Sequence, residues 1–162
     1  MLLVGTKLAP KGTRLAHIST PARAASALRT FADISLDAQL VKATELRLAG
    51  NAAVRAGDLH KAIALYSEAL DLQPSSGSHL LLSNRSAANL AVGNAEGALA
   101  DAASAIRCAP ADYITAYVRQ VEALLHLRRP TEALQELLLA GDRHPEYAAT
   151  PEYRSLLKQV QR

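Results

Sequence analysis

A chain of 162 residues is long enough for one domain plus a tail. Hydrophobic residues make up 49% but aromatics only 4%, so the core must be built mainly from Leu and Ala, which suits close-packed helices and argues against a β-sandwich. The net charge of +3 does not point to nucleic acid, because residues 1–35 balance to +4 and the remainder to −1, whereas a nucleic-acid binder carries its basic charge on the folded face, with aromatics to stack bases. No apolar run approaches the ~18–20 residues that span a bilayer, and a soluble protein without membrane insertion is expected.

Residues 1–34 contain two prolines, scattered Gly, Ser and Thr, and no sustained helical period, which predicts a flexible basic tail. The same stretch has no acid before Asp33 and a short amphipathic patch around Arg23–Phe31. That composition also resembles a mitochondrial presequence, so a cytoplasmic protein is expected, with mitochondrial targeting as the alternative.

From Leu36 to Arg55 the pattern turns helical: Leu36, Leu40, Ala43, Leu46 and Gly50 trace one face at three- and four-residue steps. A repeat then emerges. Ala62, Ala98 and Ala133 are 36 and 35 residues apart, and Ala69, Ala105, Ala140 and Pro74, Pro110, Pro145 keep the same register. Two antiparallel helices approach closely only where side chains are small, and a terminal Pro stops the second helix of each unit. Ala56-Gly57-Asp58, Val92-Gly93-Asn94 and Arg128-Arg129-Pro130 are the expected turns inside three hairpins. After Pro145, Tyr153, Leu156, Leu157 and Val160 fall on one face of a last helix, the shape needed to cap an open stack. The expectation is an all-α right-handed solenoid of three helical hairpins plus a C-terminal capping helix, with a domain over 35–162, repeats at about 43–77, 79–112 and 114–147, and the cap at about 151–161.

These small positions, Tyr66 and the terminal prolines resemble a tetratricopeptide repeat domain. Gly50 and Ser86 fill the small position of the first helices, and Gln120 departs from it. Within that family Gly50-Asn51 and Ser83-Asn84-Arg85-Ser86-Ala87-Ala88 resemble the chaperone adaptors, which grip the C-terminal Glu-Glu-Val-Asp tail of heat-shock chaperones. The resemblance implies a monomeric co-chaperone whose partners are tails of the seventy- or ninety-kilodalton class. A generic repeat scaffold for another protein partner, with a degenerate clamp, is the alternative.

First helices of stacked hairpins line a concave groove, and helical spacing projects Arg47, Asn51 and Val54 into it from the first unit. The second unit offers Asn84, Ala87 and Ala91, and the third Thr115, Arg119, Glu122 and His126. Guanidiniums and carboxamides together suit a carboxylate. The family's carboxylate clamp maps onto Arg47, Asn51, Asn84, Thr115 and Arg119, with Val54 and Ala87 walling a pocket for the penultimate Val. Thr115 stands where the family has a Lys, Ala91 where it often has one, and Glu122, one turn beyond Arg119, is placed to pair with it and compete with a ligand acid.

No enzyme is expected. The five histidines (His17, His60, His79, His126 and His144) are dispersed, with no metal-ligand spacing, and no Gly-rich phosphate loop is present, so no cofactor or metal is implied. The lone Cys108 is expected in the apolar core near the end of a second helix.

Overall fold

A computed structural model describes the backbone of residues 21–74 and 76–162, and the side chains from Ser35 onward apart from residue 75. Residues 1–20 of the basic tail lie outside the described residues. The backbone of 21–34, expected as part of a flexible tail, is helical, and its side chains, those of the Arg23–Phe31 patch included, lie outside the described ones. Two units are delimited, residues 1–34 and Ser35–Arg162, and the helical hairpins belong to the second. The described residues form eight helices and no strand: α1 (Pro21–Arg55), α2 (Leu59–Asp71), α3 (Ser78–Ala91), α4 (Ala95–Cys108), α5 (Thr115–His126), α6 (Pro130–Arg143), α7 (Pro145–Ala148) and α8 (Pro151–Val160). None of them is long and apolar enough to cross a membrane.

The second helices α2, α4 and α6 carry the periodic alanines, and all six are buried, Ala62, Ala69, Ala98, Ala105 and Ala133 completely so. With only a methyl group at the contact, the neighbouring helix backbone comes close enough to exclude water. The first-helix small positions answer them. Ser86 on α3 is buried and its Oγ donates to the Ala98 carbonyl at 2.8 Å, tying α3 to α4 across the hairpin. Asp58 and Asn94 cap α2 and α4, each side chain accepting from the backbone N–H three residues on.

The third turn differs from the sequence expectation by one residue. It comprises Leu127–Arg129, and Pro130 is already the first residue of α6, where its missing N–H costs nothing. Arg128 adopts φ +58 there, at the point where the first two turns place Gly57 and Gly93 with φ +80 and +85.

Two apolar clusters follow the hairpins. One joins Ala43, Leu46 and Ala53 of α1 to Tyr66 of α2 and Leu81 of α3. The other joins Val121 and Leu124 of α5 and Leu137 of α6 to Tyr153, Leu156 and Val160 of α8. The face of α8 that closes this second cluster is the one predicted from its spacing. Cys108 departs from the expectation: it is exposed, not in the core, because it is the last residue of α4 and sits at the helix end.

Candidate functional site

Asn51 on α1 and Asn84 on α3 meet across the first two hairpins. Asn84 Nδ2 donates to Asn51 Oδ1 at 3.0 Å, and the Tyr66 hydroxyl donates to the same oxygen at 2.7 Å. With both acceptor sites of Oδ1 occupied, the amide of Asn51 is fixed in one orientation, and its two N–H groups face away from this bond network. Burial pushes the Tyr66 phenol above its ordinary value, while the Arg47 and Arg55 cations pull it back, so both guanidiniums act electrostatically at this point.

Asn51 and Asn84 line a cleft of ≈360 Å³ together with Val54, Ala87, Ala91 and Arg119. All six are residues that helical spacing projects into the groove. Five of the seven clamp and pocket candidates are therefore brought together. The other two are not in the lining. Arg47, one turn before Asn51, lies beside a smaller depression of ≈190 Å³ with Pro74, Gly77 and Leu80, where α3 begins. Thr115 is the first residue of α5 and half-buried. Arg55 lines the larger cleft and was missed. Its signal was available, since Arg47, Asn51 and Arg55 are spaced by four and so share one helix face.

Arg119 is held by its own helix. Its Nη1 donates to Glu122 Oε2 at 2.7 Å, the pairing expected from their spacing, and both side chains are about one-third exposed (32% and 34%). Arg119 Nε is buried and has no hydrogen-bond partner among the described residues. A second cleft of ≈620 Å³ shares Ala87, Ala91 and Arg119 with the first and adds Leu90, Glu122 and Leu125.

Arg85 stands next to this site and does different work. Its Nε and Nη2 form a fork on Asp101 at 2.9 and 2.6 Å, and its Nη1 donates to Ser67 Oγ at 2.8 Å. Buried Asn89 adds a bond to the same carboxylate at 3.1 Å. One guanidinium thus ties α3, which lines the groove, to α2 and α4. Among the described residues, no group of three or more His, Cys, Asp or Glu side chains could hold a metal ion.

No family model matches the chain. It is 44% identical over 92 residues to Protein STIP1 homolog of Dictyostelium discoideum, a match covering 57% of this chain and 16% of that protein. It is 48% identical over 60 residues to Hsp70-Hsp90 organizing protein 1 of Glycine max, covering 37% of this chain and 10% of the relative. The chain therefore spans a small fraction of the curated relatives it matches. Among solved structures, the TPR2B domain of yeast Sti1 in complex with pHsp70 superposes with TM-score 0.68 at 27% identity, over 75% of this chain and 97% of that one. By fold and by sequence, the chain carries a tetratricopeptide repeat domain that resembles those of chaperone adaptors.

Proposed function

We propose that the groove binds a free C-terminal carboxylate on an acidic tail of the Glu-Glu-Val-Asp type, so that the protein works as an adaptor for heat-shock chaperones of the seventy- or ninety-kilodalton class. The observation that carries this reading is the Asn51 amide. Its oxygen accepts from both Tyr66 and Asn84, so what it offers a ligand is N–H groups, and an anion is the ligand that needs them. Asn84 has a second N–H to give beside it, and Arg119 supplies the charge-assisted bonds. Val54, Ala87 and Ala91 form the apolar wall that suits a penultimate Val. Arg47 and Thr115 are assigned outer roles, steering and hydroxyl donation to an acidic side chain upstream of the terminus. The relatives named for Hsp70 and Hsp90, and the Sti1 domain in complex with pHsp70, support the partner class.

A scaffold that takes an internal segment and ignores the free carboxylate is the second reading, favoured by one observation: Glu122 already occupies part of Arg119. Arg119→Ala and Asn84→Ala separate the two. Carboxylate binding predicts that each weakens affinity for a tail peptide by roughly tenfold or more in a calorimetric titration, the effect of losing a charge-assisted hydrogen bond. Unchanged affinity in both variants favours the scaffold.

A further inference from the structure

We infer that Arg55 is the cation that gives this groove its preference for a free carboxylate over a neutral chain end, acting beside the Asn51 and Asn84 amides. The inference rests on the carboxylate-binding reading above and names the main source of its charge.

The cleft that Asn51 and Asn84 line contains two cations, Arg55 and Arg119, and no carboxylate. The two are not equally available. Arg119 commits Nη1 to Glu122 at 2.7 Å, and its Nε is buried, so its charge is balanced by an acid of its own helix. Arg55 is exposed and forms no ion pair with any carboxylate among the described residues. The acid closest to it along the chain, Asp58, is engaged as the cap of α2, accepting from the Lys61 N–H. An anion entering the cleft therefore meets one unbalanced positive charge in its lining, and that charge belongs to Arg55.

Its place on α1 suits the task. Arg55 follows Asn51 by four residues, so the two share a face and are about 6 Å apart along the axis. Side chains on a helix lean toward its N-terminus, which carries Arg55 back toward Asn51. Arg47 leans away from Asn51 for the same reason and lines the neighbouring depression. A carboxylate has two oxygens: one can accept from the Asn51 amide while the other accepts from the guanidinium. The Tyr66 phenol, which bonds Asn51, is raised by burial and drawn back by the Arg47 and Arg55 charges, so Arg55 acts electrostatically at the amide itself.

Arg55 is also the basic residue of the last turn of α1, where a cation favours the helix end. That role acts on stability and does not discriminate between two ligands that differ by one charge. The test therefore reads a ratio of affinities.

The full chain and Arg55→Gln are titrated calorimetrically with a peptide ending in Glu-Glu-Val-Asp and with its C-terminally amidated copy. The wild-type chain is expected to favour the free acid by about tenfold or more. Arg55→Gln is expected to weaken the free acid about fivefold and leave the amide nearly unchanged, which reduces the preference to about twofold. A preference undiminished in the variant, or a loss shared equally by the two peptides, would overturn the inference and leave carboxylate recognition standing. A wild-type chain that binds both peptides alike, or neither, would overturn the carboxylate reading and the inference with it. Circular dichroism verifies the helical fold of the variant, in which only an exposed side chain is replaced.

Discussion

The ring of Tyr66 occupies the space a side chain at position 50 would need: a Cβ built on Gly50 stands 2.5 Å from Tyr66 Cε1. Tyr66 is buried, and the same ring that presses on Gly50 sends its hydroxyl to Asn51. Core packing and the orientation of a candidate ligand-binding amide are thus settled by one side chain. Gly50→Ala gains up to about 1 kcal/mol in helix propensity but forces a buried aromatic to move, at roughly 1–3 kcal/mol. The expected net result in a denaturant melt is a loss of about 1–2 kcal/mol. Tail-peptide affinity should fall with it, because Asn51 loses the partner that orients it.

Asp101 is the hub of the network that joins three helices. It is buried, with Arg85 and Asn89 bonded to its two oxygens. Removing one partner of a buried pair leaves the other uncompensated, so Asp101→Ala is expected to cost about 3–5 kcal/mol, read as a fall in the denaturation midpoint. Arg129→Ala removes a pair of similar geometry whose side chains are 42% and 49% exposed, and should change stability by under about 1 kcal/mol. The contrast between the two variants separates burial from mere bond count.

Arg128 holds a left-handed backbone conformation that Gly occupies in the two preceding turns. Such a conformation costs a residue with a side chain about 1–2 kcal/mol, part of which Gly returns through the greater entropy of its unfolded chain. Arg128→Gly is therefore expected to raise stability by about 0.5–1 kcal/mol. The thermal midpoint reports it, and a decrease would mean that the Arg128 side chain contributes more than its backbone costs.

Much of the fold was legible because steric limits leave a periodic trace. Ala62, Ala98 and Ala133 recur since a helix–helix contact tolerates nothing larger there, and the structure buries all three completely. The groove residues Asn51, Val54, Asn84, Ala87, Ala91 and Arg119 were legible for a related reason, as residues at helical spacing on first helices share a face. The Tyr66–Asn51 bond was not, because it joins residues fifteen apart through side-chain torsions that spacing does not specify. Arg47 lies one turn before Asn51 and lines the neighbouring depression where α3 starts, whereas Arg55, one turn after Asn51, lines the cleft; spacing places all three on one face but does not say how far along it the cleft extends. Cys108 was assigned to the core by its place on the repeat, and the helix end left it uncovered. Arg128 hid its conformation behind a residue type that seldom adopts it.

Recognition of a free chain end by the Asn51–Asn84 cleft is put to the test by calorimetric titration of the wild-type chain with a peptide ending in Glu-Glu-Val-Asp, beside its C-terminally amidated copy. Micromolar binding of the free acid and at least about tenfold weaker binding of the amide, which has lost its terminal charge, are expected. Equal affinity for the two peptides, or binding to neither, would mean that the cleft does not read a terminal carboxylate.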